Sequence, residues 1–449
     1  MIGAIRQWRE MWQWLPSGIA SLVTDSPRVP FSDFLTRSVE PIDKTRHGLE
    51  SLNVIKKITF GGEVFIRSPL EKAGYKGPLF QAKAGDLVIS KIRVAQGSFS
   101  IVPADFDPLA VSAEYPIYKV DSDIADTSFL ALVLRTPEFR AVLASLRSGN
   151  TTKTRIRPQE FESLDIPLPD LSEQKKLVSA YEAAQSQART LEQRAHETER
   201  AARRDFEAAL GLTPPPDLPR RFAQIARFRD IERWSHEGVL DQSLPRDKST
   251  HFPLMRLADV VADLENGWSP QCESRPAREG EWAVLKLGAV SFGTFDARQN
   301  KALPMRLKPR PELEIRAGEV LISRANITRL VGACAHVQET PPHLMLCDKI
   351  FRAVFFDDSP IHGDFLAEVL KTPGVRKQIE SRVTGTSPTM KNISKPALLD
   401  LEFPLPPTDI QASLTAKLHR SREATSKLLA QAAAARQAAW RAFVAAVFG

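Results

Sequence analysis

Two stretches of the chain repeat one alternation of small or apolar positions with polar ones. In 171–211, Tyr181, Ala188, Ala195, Ala202 and Ala209 recur every seven residues, with Ala184, Leu191 and Thr198 between them. In 408–449, Leu418, Thr425, Ala432, Ala439 and Ala446 do the same, with Leu414, Ser421, Leu428, Ala435 and Ala442 between. Neither stretch holds a proline or glycine before its last residue. The period predicts two helices, and its persistence over several heptads predicts that they pair as a coiled coil. Alanine is also the best helix former, so composition alone gives the helices. The pairing rests on the matching spacing in both copies. At ~1.5 Å per residue, each helix of about 40 residues is roughly 60 Å long.

The flanks match too. Each helix follows a proline-braked strand, IPLPD at 166–170 and FPLPP at 403–407. Asp170 precedes Glu173, and Thr408 precedes Gln411, at capping-box spacing. Gly211 and Gly449 stand where a helix stop belongs. Gln174 and Gln411 occupy the first turns, an offset of 411 − 174 = 237 residues. The chain therefore reads as two similar halves, each a globular unit followed by a long helix.

Hydrophobic runs divide the remainder. Residues 1–28 carry Trp8 and Trp12 on one helical face, an amphipathic segment that either packs on the body or docks a partner. Residues 29–169 form the first globular unit, with a buried strand in GDLVISKI at 85–92, further strands at 110–112 and 115–120, and two short helices at 127–134 and 136–146. A polar, basic loop follows at 148–157. The helix at 170–211 leads into a stiff proline-rich joint at 212–235. Residues 236–407 repeat the first unit: GEVLISRA at 318–325 matches GDLVISKI, and Phe365-Leu366 and Thr372-Pro373 match Phe129-Leu130 and Thr136-Pro137. The second helix fills 408–449. Segments 37–80 and 265–315 are not visibly alike, so the scaffold repeats while the exposed surface differs. The fold class is α+β.

Composition narrows the function classes. Of 449 residues, 43% are hydrophobic, an ordinary globular fraction, and no apolar run approaches the ~20 residues a bilayer requires. The first residues are interrupted by Arg6, Arg9 and Glu10 and do not read as a secretion signal. Three cysteines, Cys272, Cys334 and Cys347, form no CxxC pair, which argues against a disulfide framework or a cysteine zinc site and for a cytoplasmic protein. His336 and His343 lie near Cys334 and Cys347, but the spacing fits no standard ligand set, so no metal is expected. A net charge of +7 permits nucleic-acid binding without demonstrating it. There is no GxxxxGK[ST] loop, no Asn- or Asp-Pro-Pro-Tyr tetrapeptide, and no catalytic constellation.

In order, and twice over, the chain presents G-[DE]-[LV]-[VL]-I-S-[KR], a Phe-Leu helix, a Gly/Ser/Thr-rich basic loop, [IF]-P-L-P, and a helix with an early glutamine. This order resembles the specificity subunit of a type I restriction–modification enzyme. IPLPDLSEQKKLV is the sharpest match; FPLPPTDIQASL departs from it, with Asp409-Ile410 where Ser-Glu is usual. The resemblance covers roughly 30–449. It implies two tandem α/β target recognition domains, each reading one half of a split, asymmetric DNA site, and an antiparallel pairing of the long helices as a ruler. It also implies partners: double-stranded DNA, two methyltransferase subunits and restriction/translocase subunits, with S-adenosylmethionine, ATP and magnesium held by those partners and no cofactor in this chain.

Phosphate neutralisation needs Lys or Arg, and base discrimination needs Arg, Lys, Asn or Gln. The candidates in the first unit are Lys91 and Arg93 after the buried strand, with Lys153, Arg155 and Arg157 on the polar loop. In the second unit they are Arg324, Asn326 and Arg329, with Lys391 and Asn392. The bland reading of each is a solvated surface charge. On the second helix, Leu429, Trp440, Phe443, Val444, Val447 and Phe448 exceed what a seam needs; they either pack internally or dock a methyltransferase subunit. Two other function classes remain: a standalone DNA-binding regulator, and a duplicated protein-binding adaptor without DNA affinity.

Overall fold

The computed structural model describes residues 26–44, 48–73, 75–145, 155–212, 250–290, 293–385, 387 and 390–449. The segment with Trp8 and Trp12, most of the proline-rich joint and Lys153 lie outside them. The two long helices are Leu171–Ala209 and Thr408–Phe448. The chain forms two compact units: Met1–Gln193 with Leu428–Gly449, and Arg194–Lys427. Each unit therefore contains a part of both long helices.

In the first unit, strands β1 (Arg28–Pro30), β2 (Leu35–Ser38), β3 (Asn53–Ile58), β4 (Val64–Ile66), β5 (Phe80–Ala82), β6 (Leu87–Ile89), β7 (Phe99–Ile101), β8 (Leu109–Val111), β9 (Ile117–Val120) and β10 (Asp165–Pro167) build three sheets. One has the order β2-β9-β6-β7, one β4-β3-β8-β5, and β1 pairs with β10. Helices α1 (Thr127–Val133) and α2 (Pro137–Ser145) cover the first sheet. The core gathers Phe31, Phe99, Phe129, Phe139 and Phe161.

The second unit repeats this plan with β11 (Leu254–Arg256), β12 (Val261–Asn266), β13 (Ala283–Leu285), β14 (Asn300–Ala302), β15 (Val320–Ser323), β16 (Ala325–Asn326), β17 (Cys334–His336), β18 (Leu344–Met345), β19 (Ile350–Phe355), β20 (Lys391–Asn392) and β21 (Glu402–Pro404). The order β12-β19-β15-β17 reproduces that of the first sheet, and β11 pairs with β21 as β1 does with β10. In the remaining sheet β13 pairs antiparallel with β14 and parallel with β18, as β3 does with β4 and β8. A single bridge, Glu314 to Met345, stands where β5 meets β8. The duplication thus extends through 37–80 and 265–315, where the sequences are not visibly alike. Helices α3 (Gly363–Val369) and α4 (Pro373–Arg382) correspond to α1 and α2.

The long helices pair antiparallel within each unit. In the first, the Tyr181 ring lies 6.2 Å from that of Phe443, and Arg436 donates to Glu192 Oε2 at 2.8 Å. In the second, the Thr425 hydroxyl donates to Ala195 O at 3.3 Å and that of Ser421 to Thr198 O at 3.2 Å. As one partner number rises, the other falls. Small seam residues permit these side-chain-to-backbone contacts, and Ala188, Ala195 and Ala432 are fully buried. The heptad does not hold to the end of the second helix. Ala442 and Ala446 are exposed, and Phe443 and Val447 are buried instead. A straight helix drifts relative to a strict seven-residue repeat, and the last turns here pack on α1 as well as on the first long helix, Phe443 meeting both Phe129 and Tyr181.

The helix starts also differ from the capping-box expectation. Asp170 does cap, accepting the Glu173 N–H at 2.9 Å. Thr408 is already helical, and Gln411 reaches back instead to Pro406 O, with Gln174 doing likewise to Pro169 O, both at 2.8 Å. At the first helix end Gly211 adopts φ +73°, and the N–H of Leu212 returns to Glu207 O, which closes the last turn.

One buried acid ties the second unit together. Glu368 on α3 is bonded by Arg422 at 2.6 Å and Lys371 at 2.8 Å, with Arg203 at 3.5 Å. Burial alone would raise its pKa, but the bonds from Arg422 and Lys371 outweigh it and hold the carboxyl at about 2.

Candidate nucleic-acid interface

In the first unit β6 is wholly buried and ends at Ile89, with buried Ser90 following it. The next residue, Lys91, is half-buried; its N–H donates to Glu114 O at 3.1 Å, and its carbonyl accepts the Ile156 N–H at 2.9 Å. That second bond joins the strand exit to the end of the polar loop. It brings Lys91 together with Arg155 and Arg157, both exposed, while exposed Arg93 opens the turn at Val94–Gln96. Arg155 pairs with Glu114 at 3.1 Å. The Arg157 N–H is held by Glu160 Oε2 at 2.9 Å, which starts a short helix.

The second unit makes the same joint. β15 is buried throughout, and Ile393 donates its N–H to Arg324 O at 3.0 Å. Beyond it, Ala325 and Asn326 pair with Asn392 and Lys391 as a two-stranded ribbon. Arg324, Asn326, Lys391 and Asn392 are therefore neighbours, and exposed Arg329 lies in the following turn, Thr328–Leu330. Several of these groups are already engaged. The Arg324 guanidinium sits 5.8 Å from the Phe351 ring centroid, Asn326 Oδ1 accepts the Ile327 N–H at 2.9 Å, and Lys391 Nζ donates to Gly385 O at 2.5 Å. Among the described residues, the most open cations of the set are Arg93, Arg155, Arg157 and Arg329.

The apolar residues of the second helix are arranged differently from an exposed docking face. Phe443, Val447 and Phe448 are buried in the first unit's core, and Trp440 and Val444 are partly buried against it. Phe443 meets Phe129 at 5.7 Å. Most of their hydrophobic area is taken up inside the first unit, with Trp440 and Val444 left partly exposed. Leu429 alone of the six stays largely open, at 40% exposure.

Sequence reading missed Arg140 and Arg376. Arg140 donates to Gln96 O at 3.1 Å, and Arg376 to Val331 O at 2.7 Å and Arg329 O at 3.2 Å. Both brace the turn after the buried strand. The signal was present in the repeated Thr-Pro pair, each followed three residues after the proline by an arginine. Among the described residues no group of three or more His, Cys, Asp or Glu could hold a metal ion. Burial pushes the Cys334 thiol up to about 12 and that of Cys347 to about 11, far from thiolate ligands.

The fold and these paired edges define a tandem-duplicated α+β protein with a basic strand exit in each unit and an antiparallel helix pair. No family model matches the chain. It is similar to the type I restriction enzyme EcoEI specificity subunit of Escherichia coli, 23% identical over 360 residues, covering 67% of this chain and 60% of that protein. It is 22% identical over 297 residues to the EcoKI specificity subunit of Escherichia coli strain K12, covering 66% of this chain and 58% of that one. The chain thus spans about three fifths of the length of these relatives. In fold it matches a solved chain from work on "complex assembly and conformational transition of the type I R-M system", with TM-score 0.57, 18% identity, and 94% of this chain and 98% of that chain covered. The resemblance read from the motifs is therefore shown in sequence: this chain is similar to specificity subunits of type I restriction enzymes. Among the described residues no helix is long and apolar enough to cross a membrane.

Proposed function

We propose that this protein is the DNA sequence-recognition subunit of a type I restriction–modification complex. Each unit reads one half of a split, asymmetric site through the edge built by its strand exit and basic loop. The observation that carries this is the repeated joint, Ile156 to Lys91 and Ile393 to Arg324, which gathers base-reading and phosphate-binding side chain types at the same place in both units. The side chains around the joint differ between units, so the two half-sites differ. Lys91, Arg93, Arg155 and Arg157, with Lys153, serve the first half-site. Arg324, Asn326, Arg329, Lys391 and Asn392 serve the second.

The chain itself is non-catalytic in this reading. It positions two adenine methyltransferase subunits, and restriction/translocase subunits where the system has them. S-adenosylmethionine, ATP and magnesium belong to those partners. Two readers on one chain make the second binding event intramolecular, which raises affinity without new contacts. The test is co-expression with the methyltransferase subunit and sequencing of methylated adenines. A bipartite asymmetric motif is expected, and exchange of 236–407 for the equivalent of a relative should change one half only. A contiguous motif, no motif, or a change in both halves overturns the proposal.

A further inference from the structure

The corner between α1 and α2 carries Arg135-Thr136-Pro137-Glu138-Phe139-Arg140, and that between α3 and α4 Lys371-Thr372-Pro373-Gly374-Val375-Arg376, the last four residues of each forming the first turn of the second helix. Both threonines are fully buried, and their hydroxyls donate to Val133 O and Val369 O, each at 2.7 Å. Those bonds fix the corner between the helices. The flanking cations leave the corner toward two different loops. Arg135 Nη2 donates to Gly61 O at 3.1 Å, and Lys371 Nζ donates to Gly293 O at 2.6 Å. Gly61 lies between β3 and β4, and Gly293 between β13 and β14, so the two cations grip corresponding connections. The second cations, Arg140 and Arg376, grip the turns that carry or follow Arg93 and Arg329.

The grip is close. At Gly62, φ +88°, an added Cβ would lie 2.0 Å from Arg135 Nη2. In the first unit the two gripped loops also touch each other: a Cβ on Gly97 would meet Phe60 O at 2.6 Å, and the Ser98 hydroxyl donates to Ile58 O at 2.6 Å. The side chains of Arg376 and Lys371 are only 18% and 16% exposed. Burial lowers the pKa of Arg376 and of Arg135, the direction expected of cations aimed into protein rather than at solvent. Lys371 also pairs with Glu368 and Arg376 with Glu380, but in the gripped loops the partners of these cations are main-chain carbonyls, which every residue type supplies. A device of this kind holds a loop in place while leaving the loop's side chains free to differ, as they do between the two units.

We propose that the repeated [Arg/Lys]-Thr-Pro-x-x-Arg segment is a positioning element: its two cations set, through main-chain carbonyls, the strand-exit turn bearing Arg93 or Arg329 and the neighbouring hairpin connection. The proposal rests on the DNA-reading function argued above. Arg140 and Arg376 act through the turns and touch no nucleic acid themselves.

The test uses the full chain in complex with its methyltransferase subunit, with Arg376→Gln, Arg376→Lys and Arg140→Gln. Hydrogen exchange is read first. In Arg376→Gln, amides of 328–333 should exchange about tenfold faster while β15 and β19 keep their protection, and Arg376→Lys should recover part of the loss. Selection from a random-sequence duplex library is read second. Arg376→Gln should relax one half of the bipartite motif and Arg140→Gln the other, with the salt dependence of binding as in the unsubstituted protein. Unchanged exchange at 328–333 overturns the proposal. So does a salt slope reduced by about one, which marks a phosphate contact, or loss of protection throughout the unit, which marks a fold-stability role. An unsubstituted complex that selects no bipartite sequence overturns the DNA-reading function instead, while the exchange result still decides whether the turns are held.

Discussion

Gln411 accepts the His362 N–H on its side-chain carbonyl at 2.8 Å, and its amide spans from Pro360 O to Pro406 O, both at 2.8 Å. Gln174 does the same in the first unit, accepting from Asp126 N–H at 2.8 Å and donating to Ile124 O at 3.0 Å and Pro169 O at 2.8 Å. Both glutamines are fully buried. Each binds the residue that opens α1 or α3 to the first turn of a long helix, so it registers the helix against its own unit. Replacing Gln411 with Leu strands two carbonyls and an N–H that water reaches poorly. An unsatisfied buried group costs ~1–3 kcal/mol, so we expect Gln411→Leu to lower stability by about 2–4 kcal/mol. Urea denaturation checks this, with exposed Gln437→Leu as the control expected within ~0.5 kcal/mol. Equal midpoints for the two variants would refute the registering role.

Glu368 sets a pH dependence. Its carboxyl titrates at about 2 in the folded unit against an ordinary value of 4.5, because Arg422 and Lys371 bond the charged form strongly enough to outweigh burial. A depressed acid pKa adds stability that is complete above about pH 4.5 and is lost as pH falls toward 2. A shift of this size corresponds to roughly 3 kcal/mol at neutral pH. Glu368→Gln keeps the shape but leaves Arg422 and Lys371 facing a neutral group. The stability gap between the native chain and Glu368→Gln should therefore narrow steadily between about pH 5 and pH 2 in urea titrations. A gap that stays constant over that range would place the carboxylate's stabilisation elsewhere.

How much of this was legible follows from which forces write themselves into side chains. The two long helices, the buried strands β6 and β15 and the seam as far as Ala435 were readable, since period and burial constrain residue type directly, whereas the antiparallel direction of the pair came only from the resemblance. The end of the seam was not. Phe443 and Val447 look like surplus on a heptad diagram, and only burial in the first unit's core gives them a place. The likeness of β3-β4 to β13-β14 was also invisible, because a hydrogen-bonded ladder specifies backbone spacing and accepts many side chains. The same reasoning covers Arg140 and Arg376, whose partners in the turns are carbonyls, so that only the repeated Thr-Pro-x-x-Arg spacing marks them. The joint from Ile156 to Lys91 was half legible: the basic residues were marked on both segments, but nothing in the sequence said that the segments meet.

Arg155 offers the most direct check on the proposed interface. Its side chain is 60% exposed, and among the described residues it pairs with Glu114 at 3.1 Å, a carboxylate that is itself 42% exposed. An exposed ion pair of this kind contributes ~0–1 kcal/mol, so Arg155→Ala should leave the unfolding midpoint nearly unchanged. If the guanidinium neutralises a phosphate, its removal should lower the slope of log K against log salt by ~0.9 and weaken specific and non-specific duplexes alike. Base reading would have a different signature, a loss confined to one position of one half-site with the salt slope retained. Glu114→Gln separates the two further. It frees Arg155 from its carboxylate and removes a negative charge from the edge, so affinity at low salt should rise for phosphate contact. Filter binding or fluorescence anisotropy across a salt series distinguishes these outcomes. Identical slopes and affinities for Arg155→Ala and the native complex would take this residue, and with it the loop end beside Lys91, out of the interface.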